Sequence, residues 1–161
     1  MAVWHDILLF DLLRFLGNYA DAHSLGKIVG ATTPLRISAY HGRKPDIFFI
    51  PRAMYHLVGK NLFRGVPPLV VEILSPSNEQ EDRIQKRREY AGLGIDQYWI
   101  VDFPRRQVEI YALREQPNVA RDYALVETIS GDAVLCPSLF PGLEIPLSKI
   151  WPTQFENRTD D

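Results

Sequence analysis

The sequence predicts an α/β fold: a central mixed β-sheet flanked by helices. Three observations carry this. Residues 4–17 (WHDILLFDLLRFLG) place Trp4, Leu8, Leu12, Phe15 and Leu16 on one helical stripe. Residues 69–74 (LVVEIL) form a nearly unbroken apolar run of strand length, so cover is needed on both faces. Between that run and the next strand-like stretch, residues 75–94 read as a capped helix, so the order is helix, strands, a buried strand, a helix, then more strands.

Taken in chain order, the first helix spans 4–17, with Gly17 as its terminator. Residues 25–31 (LGKIVGA), 35–40 (LRISAY) and 46–50 (DIFFI) read as strands, and 51–57 (PRAMYHL) as a short helix. Residues 75–94 read as one helix. Ser75 or Ser77 caps it, and Ser77 with Gln80 resembles a capping box. Its acids (Glu79, Glu81, Asp82) come early and its bases (Lys86, Arg87, Arg88) late, which matches the helix dipole. DQYWIVD (96–102) turns at FPRR into QVEIYAL (107–113). YALVETIS and AVLC flank Gly131-Asp132 as a further hairpin, and the tail PGLEIPLSKIW is expected to pack loosely over an edge.

Length and composition bound the function. At 161 residues, with 46% hydrophobic and 24% charged residues, the chain is expected to form one domain over residues 1–161. No apolar run has the length of a membrane span, and no secretion signal is visible. Cys136 is the single cysteine, which excludes an intrachain disulfide and a cysteine zinc site. A reducing, cytoplasmic setting is expected. A net charge of −2 argues against binding nucleic acid by bulk positive charge; a polyanion would need a local basic patch or a metal ion.

Glu72 interrupts the apolar run. A buried carboxylate needs a cation or several donors in place of its lost water. It is either satisfied structurally, by an arginine or backbone donors, or it belongs to a site. Asp46 opens the preceding long strand, directly after Pro45. If the two strands pair, the carboxylates sit side by side, repel, and favour a divalent cation. Mg2+, with Mn2+ as a substitute, takes such hard oxygen ligands, and the Ile73 carbonyl would be a third. Lys86 lies on the helix that follows and would reach back over the strand end. Asp82, Lys86 and Tyr90 are spaced i, i+4, i+8 on one helix face, consistent with that approach and equally with a surface Asp–Lys pair.

Pro45-Asp46, VEILSPS, D-x-x-x-K-x-x-x-Y (Asp82, Lys86, Tyr90) and GIDQYWIVD together resemble the Uma2 family, also called DUF820, of the PD-(D/E)XK nuclease superfamily. The similarity runs from about residue 4 to 113. It implies a restriction-endonuclease-like fold and Asp46 and Glu72 as ligands of Mg2+. It further implies hydrolysis of nucleic-acid phosphodiesters, with DNA as the expected partner, and a homodimer. His5 lies where the family often has a histidine. Two departures stand out. The superfamily's strand lysine is replaced by Leu74, which makes Lys86 the natural substitute. The chain also begins almost at the first helix, where family members carry a strand or two more. Arg83, Arg87 and Arg88 are candidate phosphate contacts. The alternative is a nuclease-fold module, inactive as an enzyme, that binds nucleic acid or protein.

Overall fold

The computed structural model describes residues 2–159. Helix α1 (Val3–Ala22) precedes strand β1 (Gly26–Gly30), the short strands β2 (Leu35–Arg36) and β3 (Gly42–Arg43), and β4 (Ile47–Pro51). A 3-10 turn (Arg52–Leu57) and a loop lead to β5 (Leu69–Ile73). A helix then begins at residue 79, runs as a π-helix through Glu81–Lys86, and continues as α2 (Arg87–Leu93). Strands β6 (Gln97–Asp102), β7 (Gln107–Gln116) and β8 (Val119–Ser130) follow, then β9 (Val134–Leu135) and β10 (Ile145–Pro146).

The main sheet has the order β1-β4-β5-β6-β7-β8. Only the β5–β6 pair is parallel, joined by the helical crossover; the others are antiparallel. Its two faces build two cores. Helix α1 covers one through Leu8, Leu12 and Leu16, packed with Ile47, Val71 and Trp99. Tyr90 and Ala91 of α2 cover the other, against Phe48, Val70 and Tyr98. Strand β5 is buried along its whole length, which is why its sequence does not alternate.

Several expectations are corrected. Gly17 does not end α1: the apolar stripe continues through Ala20, fully buried, and that packing outweighs the roughly 1 kcal/mol helical cost of glycine. The stretch 35–40 is not one strand; Leu35–Arg36 doubles back at once onto Gly42–Arg43. The helix expected over 75–94 starts later and without a capping box, because Ser77 Oγ donates to Asn78 Oδ1 instead. It ends where Gly94 adopts a left-handed φ of 95°.

The last hairpin is also different. Residues 123–130 pair with β7, across a turn where Asn118 has φ 63°, and β9 pairs with β10. The longer pairing wins because it buries Val108, Ile110 and Ile129 together. The tail is not loose: Ile145, Leu147 and Ile150 are fully buried and Trp151 nearly so, covering the sheet face beyond the reach of α1.

Candidate active site

The ladder between β4 and β5 pairs Ile47 with Val71 and Phe48 with Val70. Continued by one step, that register sets Asp46 opposite Glu72. Both residues are buried, at 8% and 2% exposure. Asp46 Oδ2 accepts the Ile73 N–H at 2.7 Å, which fixes the carboxylate against the end of β5. His5, on the first turn of α1, brings Nε2 to 3.4 Å from the same oxygen.

From the other side the π-helical segment leans over the strand end. Lys86 Nζ lies 3.3 Å from Glu72 Oε2 and 2.6 Å from Asp82 Oδ1. Tyr90 donates its hydroxyl to Glu72 Oε1 at 2.6 Å. Tyr98, on β6, donates to the Asp82 carbonyl at 2.8 Å and braces the segment from below. Such single π-helical stretches recur at functional positions, because they re-aim side chains that a regular helix would distribute differently. Asp82 and Lys86 face Glu72, while Arg83 between them turns away.

Leu74 belongs to the core with Tyr90 and Ile95. The position that would carry the strand lysine is therefore filled by packing, and the ammonium arrives from the helix.

Electrostatics set this group apart. Three buried carboxylates (Asp46, Glu72, Asp82) face one ammonium. Burial pushes the Glu72 carboxyl up to about 8; Lys86 opposes this, and the charges of Asp46 and Asp82 add to it. Asp82 is also raised, by burial against the pull of Lys86. No hydrogen bond in good geometry reaches either carboxylate oxygen of Asp82 among the described residues, so the ion pair is its compensation. Burial works against the charge on Lys86, but Glu72 and Asp82 outweigh it and raise its pKa. His5 is likewise raised: Asp46 and the Ile73 carbonyl overcome the effect of burial.

These groups open into a cleft of about 520 Å3, lined also by Lys44, Ser75, Ser77 and Asn78. Among the described residues no three His, Cys, Asp or Glu side chains converge to enclose a metal by themselves. The donor set nevertheless suits a hard divalent cation. Mg2+ uses one or two carboxylates and leaves its other positions to water and substrate oxygens. Asp46, Glu72 and the Ile73 carbonyl at the cleft wall are such a partial set, with an excess of negative charge for the ion to offset.

Of the sequence candidates, the fold brings Asp46, Glu72, Ile73, Lys86, Asp82, Tyr90 and His5 together. It does not bring the arginines. Arg83 forms ion pairs with Glu79, Asp102 and Glu109. Arg87 bonds the Tyr123 carbonyl and Asp122 and lies over the Tyr111 ring. Arg88 is exposed on the far side of the helix from Tyr90. Sequence reasoning missed Lys44 and the bracing by Tyr98; the only signal was that Lys44 directly precedes the Pro-Asp pair.

Comparison with known proteins places the chain in a family and matches its fold. The model of the Uma2 family, described as "Putative restriction endonuclease", matches residues 2–148. The chain belongs to the Uma2 family. Among solved structures, a similar one is the crystal structure of "a putative nuclease belonging to DUF820 from Anabaena variabilis", with TM-score 0.73 and 16% identity. The match covers 94% of this chain and 82% of that one. At that identity the likeness concerns the fold, and the restriction-endonuclease-like architecture expected from the sequence is the one this Uma2 chain adopts. No curated protein matches it.

Proposed function

We propose that the cleft is the active site of a metal-dependent endonuclease that hydrolyses phosphodiester bonds of nucleic acid, with DNA as substrate. The observation that carries this reading is Lys86: its ammonium arrives from the helix within 3.3 Å of Glu72, in a cleft that also holds Asp46. The catalytic cation missing from the strand is thereby supplied. The family description and the fold support the same reading.

Asp46, Glu72 and the Ile73 carbonyl would hold Mg2+. Bound there, the ion would polarise the scissile phosphate and lower the pKa of the attacking water. The chain's own residues do the rest. The Ile73 N–H and His5 hold the Asp46 carboxylate in place from two directions. Tyr90 fixes the rotamer of Glu72, and Lys86 compensates its charge once the proton leaves. With its charge shared between Glu72 and Asp82, Lys86 is positioned to offset negative charge developing on the phosphate.

The test is cleavage of plasmid and linear DNA with Mg2+ or Mn2+, repeated on Asp46→Asn and Glu72→Gln. Cleavage unchanged in both variants removes the assignment. A protein that binds DNA but never cuts it, in either metal, is an inactive module on the same fold.

A further inference from the structure

The chain is acidic overall, yet its charge is unevenly placed. Residues 31–68, between β1 and β5, hold six of the eighteen Lys and Arg and one of the twenty Asp and Glu, leaving twelve against nineteen for the rest. That single acid is Asp46, buried in the cleft. Apart from β4, which runs within the main sheet, the segment forms a lobe of β2, β3, the 3-10 turn and their loops, stitched by the Arg36 N–H on the Phe63 carbonyl and the Phe63 N–H on the Pro34 carbonyl.

Arg43 alone among its bases is committed. It bonds Glu81 and Glu89 at 2.6 and 2.7 Å and clamps the lobe to the helix that carries Lys86. Arg36, Lys44, Arg52, Lys60 and Arg64 are all exposed, and none makes an ion pair among the described residues. Elsewhere most bases are paired, as Arg83, Arg87, Arg105, Arg106 and Arg121 are. Arg64 lies over Gly59, next to Lys60, and follows Phe63, which bonds Arg36; these three bases therefore share one end of the lobe. Lys44 lines the cleft beside Asp46, so the lobe borders the site directly. Five unpaired like charges repel one another at low salt, and an extended polyanion relieves that repulsion.

We propose that the lobe borne on residues 31–68, outside β4, is the docking surface for the phosphate backbone of nucleic acid, with Arg36, Lys60 and Arg64 as its principal phosphate contacts. The identity of the polyanion rests on the nuclease reading above; the location of the surface does not. The acidic remainder of the molecule repels the same backbone and so restricts how it can lie across the cleft. This assigns the phosphate contacts to a different part of the fold from Arg83 and Arg87, whose guanidinium groups are already occupied.

The experiment is fluorescence anisotropy of a labelled 20-base-pair duplex in EDTA, where binding is read without cleavage. The wild type is compared with Arg36→Gln/Lys60→Gln/Arg64→Gln and with a charge-matched control, Arg88→Gln/Arg114→Gln/Arg121→Gln, on the α2–β8 side. Circular dichroism confirms that both variants fold. We expect the lobe variant to lose about tenfold or more in affinity and its log–log salt slope to fall by about 2 to 3, with the control near wild type. Undetectable wild-type binding, an unaffected lobe variant, or an equal loss in the control would each overturn the proposal. So would a lobe variant that loses affinity for phosphatidylserine vesicles but keeps it for the duplex. Mg2+ cleavage assays separate the two readings. Binding that depends on the lobe without any cleavage leaves this inference standing and removes the nuclease. Wild-type cleavage and binding by the lobe variant do the reverse.

Discussion

One short helix supports two clusters of charge, and they are built to opposite ends. Toward β7, Arg83 and Arg105 meet Glu79, Asp102 and Glu109 at 2.7 to 3.2 Å, and Tyr111 and Gln107 donate to Glu109 as well. Every carboxylate there has a guanidinium partner. Glu79 is held below the usual range by Arg105 and Arg83. Toward β5, Glu72 and Asp82 share Lys86, the charge of Asp46 adds to theirs, and Glu72 is pushed up to about 8 by its burial. The first cluster is closed and electrically settled. The second is open to a cleft and short of positive charge. The difference teaches that a buried carboxylate is informative only together with its partners: Asp102, almost fully buried, is met by two guanidinium groups, while Glu72 shares a single ammonium at the wall of a cleft.

The contrast can be broken most sharply at the open cluster. Asp46→Asn and Glu72→Gln are expected to lower the cleavage rate by about a thousandfold or more while both proteins stay folded, because each removes a ligand charge from the site. Plasmid nicking with Mn2+ and a thermal melt read both quantities. Next comes Lys86→Met, expected to lower cleavage by about a hundredfold. Lys86→Arg should recover only part of this, since a planar guanidinium cannot replace a compact ammonium between Glu72 and Asp82.

At the closed cluster the outcome is inverted. Arg83→Met leaves Glu109 without a guanidinium partner, held only by Tyr111 and Gln107, and weakens the compensation of Asp102. It should cost about 2 to 3 kcal/mol in urea unfolding, a value tempered by the partial exposure of Arg83 and by the remaining Arg105. Cleavage per folded molecule should not change. A large loss of activity at full stability in this variant would erase the distinction between the clusters.

The smallest effect is in pH. The folded state keeps a proton on Glu72 up to about 8, while the unfolded chain releases it near the ordinary carboxylate value. Between these values the folded state holds more protons, so metal-free stability falls as pH rises from about 5 to 8. The raised pKa values of Asp82 and His5 act in the same direction. Melting curves in EDTA should show this decline in the wild type and a flatter one in Glu72→Gln. Mn2+ must displace the same proton, so its apparent affinity by calorimetry should rise with pH over that window.

Much of the fold was legible because burial leaves a periodic trace. The stripe Leu8–Leu12–Leu16 and the continuous run of β5 identified the elements facing each core. Glu72 was legible for the opposite reason, as the one charge in that run. Boundaries were not: Gly17 carries a stop signal that Ala20 overrides by packing, and no residue of 79–93 announces a π-helical register. The hairpin at Gly131 failed because turn chemistry is local, whereas β8 was decided by the area it buries against β7.

The sequence by itself determined the α/β class, the strand bearing Glu72, the helix bearing Lys86, and the family motifs that link them. These are properties of pattern and spacing, which a linear chain carries whole. Tertiary structure alone decided which charges meet. Lys86 and Arg83 are three residues apart and chemically alike, yet one faces the cleft and the other a closed network. That choice follows from the π-helical turn, the bracing of Asp82 by Tyr98, and the register of β4 on β5. Partner identity depends on contacts between residues distant in the chain, and no local pattern encodes it.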